Sequence, residues 1–340
     1  MPADSLRHVA GATAAQSGSY DADIVILALN RADETLEAIA SALTQNDCRF
    51  HLLILDQGSI PETLARFAAA VNGRTDATLV ASDRNRGVAD GRNLATALGH
   101  GRVIIGLDND ASFASTTTVA RAVAMFDGSP DLGAVGFRIV RYDTGYEDLS
   151  SWGYPAGLLP RSGEAFDTVT FVGAGHAIRR AAWDQAGGYD AALFFCWEEF
   201  DFCLRAIQAG WRIGYRGDIV VRHHVAREVR MEWSGARWFY FIRNRLYIGY
   251  KTGAGRWALA LRFAYYALRA LRDGAFSQAM RSLPAAVRLA RNAPRRPLSP
   301  ATLDYLQRND SLHRRPAWLG NAPAKAPPPP QHEALLASHR

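Results

Sequence analysis

Two carboxylates one residue apart close a short apolar run: Val103-Ile104-Ile105-Gly106-Leu107 leads directly into Asp108-Asn109-Asp110. Hard oxygen ligands at that spacing suit a divalent cation carrying phosphate groups. Asp-Asn-Asp is also ordinary turn chemistry, so the motif needs company. A second acidic group, Glu198-Glu199-Phe200-Asp201, lies among Phe194, Phe195, Trp197 and Phe202. Aromatic walls disfavour a charged carboxylate and raise its pKa toward that of a general base. If a helix starts here, Glu198 and Asp201 share a face and Glu199 points elsewhere. Acids at a helix N-terminus also answer to the helix dipole alone. His223-His224 could add an imidazole to a metal held by Asp108 and Asp110, although a His pair is more often structural or exposed.

Further polar residues end apolar runs. Asn30-Arg31 follows residues 23–29, and Asp56-Gln57-Gly58-Ser59 follows residues 50–55. An Asp after the second strand of an open α/β sheet can accept hydrogen bonds from a nucleobase or ribose, and a turn or helix cap explains it equally. Between Asn85 and Asn93 a glycine turn opens a helix with Arg86 and Arg92 nearby. Helix N-terminal N–H groups beside an arginine suit a diphosphate. Arg86 reads more simply as a surface residue, which leaves Arg92.

These residues need a scaffold that gathers them. Aliphatic, β-branched runs at 23–29, 50–55, 77–80, 103–108 and 134–140 read as strands. Helical spacing at 34–43, 63–71, 87–98 and 116–126 places helices between them. That alternation implies βαβ units and a largely parallel sheet, with ligands beyond the carboxyl ends of the strands. Asn30, Asp56, Asp108 and Asp110 then meet at one edge. Residues 168–172 read as another strand, 180–186 and 200–209 as helices, and 213–215 and 219–222 as short strands. Residues 141–167, rich in Gly, Pro, Tyr and Trp, read as a long functional loop.

Composition sets the outer bounds. With 340 residues, 48% apolar and 21% charged, the chain is globular with a sizeable core. No apolar run reaches the length of a membrane span, and residues 1–20 lack a signal-peptide core. Cys48, Cys196 and Cys203 have no metal-ligand spacing and read as reduced thiols in a cytoplasm. From Lys251 onward there are 15 Lys/Arg against four Asp/Glu, while the rest of the chain is net acidic. Helical spacing continues at 233–250, 257–271 and 276–290. The first of the two basic stretches mixes Trp257 and leucines with Arg262, Arg269 and Arg272. This suits either a helix on an anionic membrane surface or one packed on the main domain with snorkelling arginines. No nucleic-acid motif accompanies the charge.

Taken in order, the motifs resemble those of family 2 glycosyltransferases across residues 23–250, especially the rhamnosyltransferase-like and galactofuranosyltransferase-like branches. The matching residues are Asn30-Arg31, Asp56-Gln57-Gly58-Ser59, Asn85-Arg86-Gly87 with Gly91-Arg92-Asn93, and Leu107-Asp108-Asn109-Asp110. Gly173-Ala174-Gly175 with Arg179-Arg180, Gly187-Gly188-Tyr189-Asp190, Glu198-Glu199-Phe200-Asp201 with Arg205, Gly210-Trp211-Arg212 with His223, and Arg243-Asn244 complete the series. The resemblance implies a GT-A fold: an α/β domain whose mostly parallel central sheet is flanked by helices, here with a C-terminal helical extension. It also implies a UDP-, dTDP- or GDP-sugar donor, Mg²⁺ or Mn²⁺, and inversion at the anomeric carbon.

Carried over residue by residue, Asn30, Asp56, Arg92, Asn93 and Asp108 would bind the donor, with Asp56 at the base and Asp108 at the ribose or sugar. Asp108, Asp110 and His223 would hold the metal, with His224 the less favoured imidazole. Glu199 would be the general base, Glu198 its rival, and Asp201 would help hold the acceptor. Gly173, Ala174, Gly175 and Trp197 would line the acceptor side. Leu27-Ala28-Leu29 stands where the family has Pro-Thr-Tyr, which leaves the nucleobase open. The acceptor would be a glycan or a lipid-linked glycan of the cell envelope or an exopolysaccharide. The enzyme is then expected in the cytoplasm, with possible contact to the inner face of the plasma membrane.

The expected domains are a disordered tail over 1–20, a catalytic domain over 21–250, a basic helical extension over 251–318 and a disordered Pro-rich tail over 319–340. Three rivals compete. A nucleotidyltransferase needs a Gly-rich phosphate loop where Asn30-Arg31-Ala32-Asp33 stands. A nicotinamide oxidoreductase needs a Gly-x-Gly-x-x-Gly that is missing. A catalytically inactive glycan- or nucleotide-binding module would keep the fold and lose transfer.

Overall fold

The computed structural model describes residues 6–15, 20–224 and 235–314. The expected Pro-rich tail over 319–340 lies outside the described residues.

Runs such as Ala22–Ala28 (β2) and Phe50–Asp56 (β3) are apolar and almost wholly buried, as strands covered on both faces must be. With Ala77–Ala81 (β4) and Val103–Asp108 (β5) they form a parallel block in the order β4-β3-β2-β5. The period of two splits each strand between two cores. Ile24 and Ile26 pack with Ala38 and Ile39 of Ala32–Leu43 (α1) and Phe67 of Pro61–Val71 (α2) on one side. Val25 faces Ala89 and Ala95 of Gly87–Thr96 (α3), and Phe202 and Ile207 of the helix carrying the acid motif, on the other. Thr118–Asp127 (α4) joins the first core through Val119, Ala122, Val123 and Phe126.

Beyond β5 the sheet turns mixed. Gly175–Arg179 (β9) runs antiparallel between β5 and Leu132–Arg141 (β7), and Arg212–His223 (β10) runs parallel to β7. Ala111–Phe113 (β6) and Ala165–Thr168 (β8) both pair antiparallel with β10. The strand expected over 168–172 is therefore displaced to its two sides. Residues 175–179 gain partners on both edges, which outweighs the local pattern. The two short strands expected over 213–222 are one strand with a register shift between Arg216 and Val220 against β7. Gly106 of β5 is required here, because a Cβ on it would overlap the His176 ring of β9.

The tail expected over 1–20 contains Arg7–Gly11 (β1), which pairs antiparallel with β4 and covers what would be an open sheet edge. Five residues with weak alternation give little sign of this in isolation. Arg180–Ala186 (α5) and Glu198–Gln208 (α6) follow β9. Gly235–Lys251 (α7), Arg256–Arg272 (α8) and Phe276–Arg291 (α9) share a third core of Trp238, Ile242, Leu246 and the alanines 267, 270, 275, 279 and 286. The chain then returns to the sheet through Pro300–Asn309 (α10), whose Tyr305 hydroxyl accepts from the Ile213 N–H at 3.0 Å. No described helix is long and apolar enough to cross a membrane.

Candidate active site

Parallel β2, β3 and β5 end together, so Asn30, Asp56 and Asp108 share one rim. Asn30 and Arg31 both hold positive φ, 53° and 50°. Asn tolerates that region, whereas Arg is strained in it, at a cost of roughly 1–3 kcal/mol. The turn brings the Arg31 guanidinium onto the Asp110 carboxylate. Asn30 holds the neighbouring loop: its Oδ1 accepts from Ile60 N–H at 3.1 Å, and its own N–H donates to Ser59 Oγ at 2.7 Å. Asp56 Oδ2 accepts from the Gly58 and Ser59 N–H groups, both at 3.1 Å. Its Oδ1 is buried without a hydrogen-bond partner. Leaving a buried acceptor unmet costs about 1–3 kcal/mol, so this oxygen suits an incoming N–H donor.

Asp108 receives an Arg92 hydrogen bond at 2.8 Å. Arg92 is 3% exposed, also donates to Val25 O at 2.7 Å, and lies 3.5 Å from Gly173 O. It is thus a buried brace for Asp108, which corrects the expectation that it binds a diphosphate itself. Asn93 binds the backbone of Tyr189: its side chain accepts from Tyr189 N–H at 2.9 Å and donates to Tyr189 O at 2.8 Å, which ties α3 to the loop before the acid motif. Arg86, read as a surface residue, has a side chain only 8% exposed and donates to Ser82 Oγ. Asp108 sits surrounded by protein, though water reaches it. That confinement raises its pKa, Asp110 adds to the rise, and Arg92 and His223 oppose it.

The β6–β10 register sets the imidazole. Ala111 pairs with His223, so His223 stands beside Asp110 with Nε2 3.4 Å from its Oδ1. Behind the ring, Nδ1 donates to Asp148 Oδ2 at 2.8 Å, and Asp148 is 3% exposed and also accepts from Ser150 and Ser151. Burial would lower the His223 pKa, yet the bonds to Asp110 and Asp148 raise it to about 10. The same contacts outweigh burial and hold Asp148 and Asp110 below the usual carboxylate range. His224 turns away, with Nε2 3.0 Å from Glu37 Oε2 and its ring stacked on Tyr142. Of the two histidines, His223 meets Asp110. Asp148 was missed in the sequence because it lies in the long loop, 75 residues from its partner.

Among the described residues no group of three or more His, Cys, Asp or Glu is already arranged around a metal position. The donor set is nevertheless suitable. Hard carboxylates are what Mg²⁺ or Mn²⁺ takes, an imidazole fixed by a carboxylate behind it adds a nitrogen ligand suited to the transition metal of the two, and Arg31 now supplies the positive charge at Asp110.

The acid motif opens α6 from a strained loop. Phe194, Cys196 and Trp197 all have positive φ, between 61° and 72°. Asn244 of α7, fully buried, holds this loop by donating to Leu193 O, Phe195 O and Cys196 O at 2.8–2.9 Å. Arg243 donates to Ala192 O and Leu193 O. Trp197 donates its indole N–H to Phe241 O on α7 at 3.1 Å, so its polar atom faces the helical layer. Glu198 is 3% exposed with Oε2 unpartnered, and burial, then Glu199, push its pKa well up.

Glu199 remains partly open to water, and its Oε1 occupies the space a Cβ on Gly173 would need. Burial raises its pKa to about 7; Asp108 adds to this, while its own N–H and Arg92 oppose it. Ala174 accepts from Asp108 N–H at 3.3 Å, and Gly175 begins β9 opposite Leu107. The Gly173-Ala174-Gly175 turn thus joins the two acidic groups. Asp201, expected to hold an acceptor, is 1% exposed and ion-paired to Arg205 at 3.0 Å and Lys251 at 2.9 Å. Lys251 also binds Asp190 at 2.6 Å. This network ties α6 to α7, so Asp201 positions rather than binds.

Comparison with known proteins follows the same lines. Residues 23–187 match the sequence profile of Glycosyl transferase family 2. Over 203 residues the chain is 29% identical to the succinoglycan biosynthesis protein ExoU of Rhizobium meliloti (strain 1021), covering 56% of this chain and 58% of that protein. The chain thus spans a little under three fifths of that relative's length. In structure it resembles a mannosyltransferase from Pyrobaculum calidifontis in complex with GDP-Man and Mn²⁺, with a TM-score of 0.53, 20% identity, and coverage of 81% of this chain and 78% of that one. It also resembles GalNAc-T7 with UDP, GalNAc and Mn²⁺, with a TM-score of 0.54, 18% identity, and coverage of 69% and 48%. The fold is therefore GT-A, and residues 23–187 carry the glycosyltransferase family 2 sequence pattern.

Proposed function

We propose that the protein transfers a sugar from a nucleoside-diphosphate sugar to a hydroxyl of a glycan or lipid-linked acceptor, inverting the anomeric carbon, with Mg²⁺ or Mn²⁺ bound. One observation carries this reading. The cation-suited group of Asp108, Asp110 and His223 and a carboxylate with a pKa of about 7, Glu199, flank a single Gly173–Gly175 turn. Asp56 Oδ1 accepts an N–H of the base, which uracil, thymine and guanine all offer. Asp110 and His223, with Asp108 alongside, would hold the cation, which would supply positive charge against the diphosphate. Glu199 accepts the proton of the acceptor hydroxyl as that oxygen bonds to the anomeric carbon. The bond to the diphosphate oxygen breaks on the opposite face, and its electron pair leaves with the nucleotide. Glu198 is buried in the first turn of α6, where burial and Glu199 push its pKa well up. The name of the succinoglycan relative supports a place in exopolysaccharide or cell-envelope synthesis.

The test is thermal denaturation with UDP-, dTDP- and GDP-sugars, with and without Mn²⁺. One nucleotide sugar at a hundredfold excess over its Kd is expected to add about 2.7 kcal/mol, hence several degrees. Asp110→Ala is expected to remove the Mn²⁺-dependent part. Absence of any shift with all three donors would refute nucleotide-sugar binding.

A further inference from the structure

The hairpin of α8 and α9 keeps apolar side chains in water. On α8, Leu259, Phe263, Tyr266, Ala267 and Ala270 face the third core. The opposite face presents Trp257, Leu261, Tyr265, Leu268 and Leu271, which are 52–74% exposed. On α9, Phe276, Met280, Leu283 and Val287 are exposed at helical spacing, at 37–46%. A run of this size is uncommon on a surface that meets only water. Charge narrows the choice of occupant. Residues 256–296 carry nine arginines and a single acid, Asp273. Arg256, Arg272, Arg281, Arg288 and Arg291 are exposed. A protein partner or second copy meeting this face would have to bring acids to a patch that has almost none of its own.

We infer that the exposed faces of α8 and α9 form a docking surface for an anionic lipid bilayer, lying in its interface without crossing it. Apolar residues including Trp and Tyr, rimmed by arginines, are what such a surface takes. The hairpin is also coupled to the acid helix. The Tyr266 ring on α8 lies against Phe241 of α7 at 5.2 Å, and the Phe241 carbonyl holds the indole of Trp197, next to Glu198.

The experiment is flotation of the full chain with vesicles of 30% phosphatidylglycerol in phosphatidylcholine, against pure phosphatidylcholine, with its mass in solution measured alongside. Binding is expected to the anionic vesicles and to weaken with salt. Trp257→Ser/Leu261→Ser/Leu268→Ser is expected to lower it by at least tenfold, and Arg272→Gln/Arg281→Gln/Arg288→Gln by about fivefold per arginine. Both variants change exposed residues and are expected to melt as the wild type does. No flotation, equal flotation with neutral vesicles, or flotation unchanged in both variants overturns the proposal. So does a dimer that the serine variant dissociates while vesicles remain unbound, which makes the face a contact between copies.

Discussion

A carboxylate takes a proton near neutrality only where its charge is disfavoured, and a substrate reaches it only where water can. Glu198 and Glu199 are adjacent in sequence and divide on that point. Glu198 is 3% exposed, whereas Glu199 stays partly open above Gly173 with a pKa of about 7. As the base, Glu199 makes kcat/KM rise with pH and level off above about 7. Glu199→Gln is expected to cut transfer about 10²–10⁴-fold while leaving nucleotide-induced stabilisation intact. Stability moves in the opposite sense. A carboxyl raised from 4.5 to about 7 on folding binds more protons in the folded state between those values, so its contribution falls as pH rises. The Gln variant should melt above the wild type at pH 8, and the gap should close below about pH 4.5. Full transfer activity in this variant would remove Glu199 from its role.

Elements carry the strain that residues alone cannot. The loop from Leu193 to Trp197 departs from ordinary backbone conformations, and Asn244 holds three of its carbonyls from α7. Asn244→Ala leaves those acceptors unmet, at a cost on the order of 1–3 kcal/mol for each that stays buried. Transfer is expected to fall with the melting temperature, and kcat to fall more than KM rises, because the base moves while the Asp56 subsite on β3 does not. A variant that loses stability but keeps wild-type kcat would show that α7 only packs. Arg243-Asn244 was legible as a motif but not as a clamp, since its partners lie 48–51 residues earlier. Arg92 shows the reverse case: an arginine after a glycine turn looks like a phosphate ligand until Val25 O and Asp108 take its guanidinium.

At the scale of the molecule, one sheet gathers residues from positions 30 to 223, and its outer edge is β1 on β4. Ala12 reinforces the pairing, donating its N–H to Ala77 O at 2.7 Å and accepting from Thr78 Oγ1 at 2.9 Å. Deletion of residues 1–15 uncovers β4 and is expected to lower the melting temperature by a few degrees, about 2–4 °C per kcal/mol in a domain of 150–250 residues, and to promote association. Calorimetry with light scattering checks both, and an unchanged melting curve with a monodisperse monomer would count against edge protection. The third core gives α7 a double role. Trp238, Ile242 and Leu246 face the helical layer, while Tyr247 and Ile248 face the acid helix's core.

The parallel strands and their helices were readable in the chain because buried runs and helical spacing are local patterns, and the order of the polar strand ends carried the family resemblance. Asp56 ends β3, Asp108 ends β5 and Glu199 lies in the first turn of α6. Tertiary structure decided what needs a partner: β9 as an antiparallel insertion, β1 as an edge cover, His223 over His224 through the pairing of Ala111 with His223, and Asp148 behind the ring. Those assignments depend on register and on which groups share a neighbour, and residues far apart in sequence settle both only when the sheet closes.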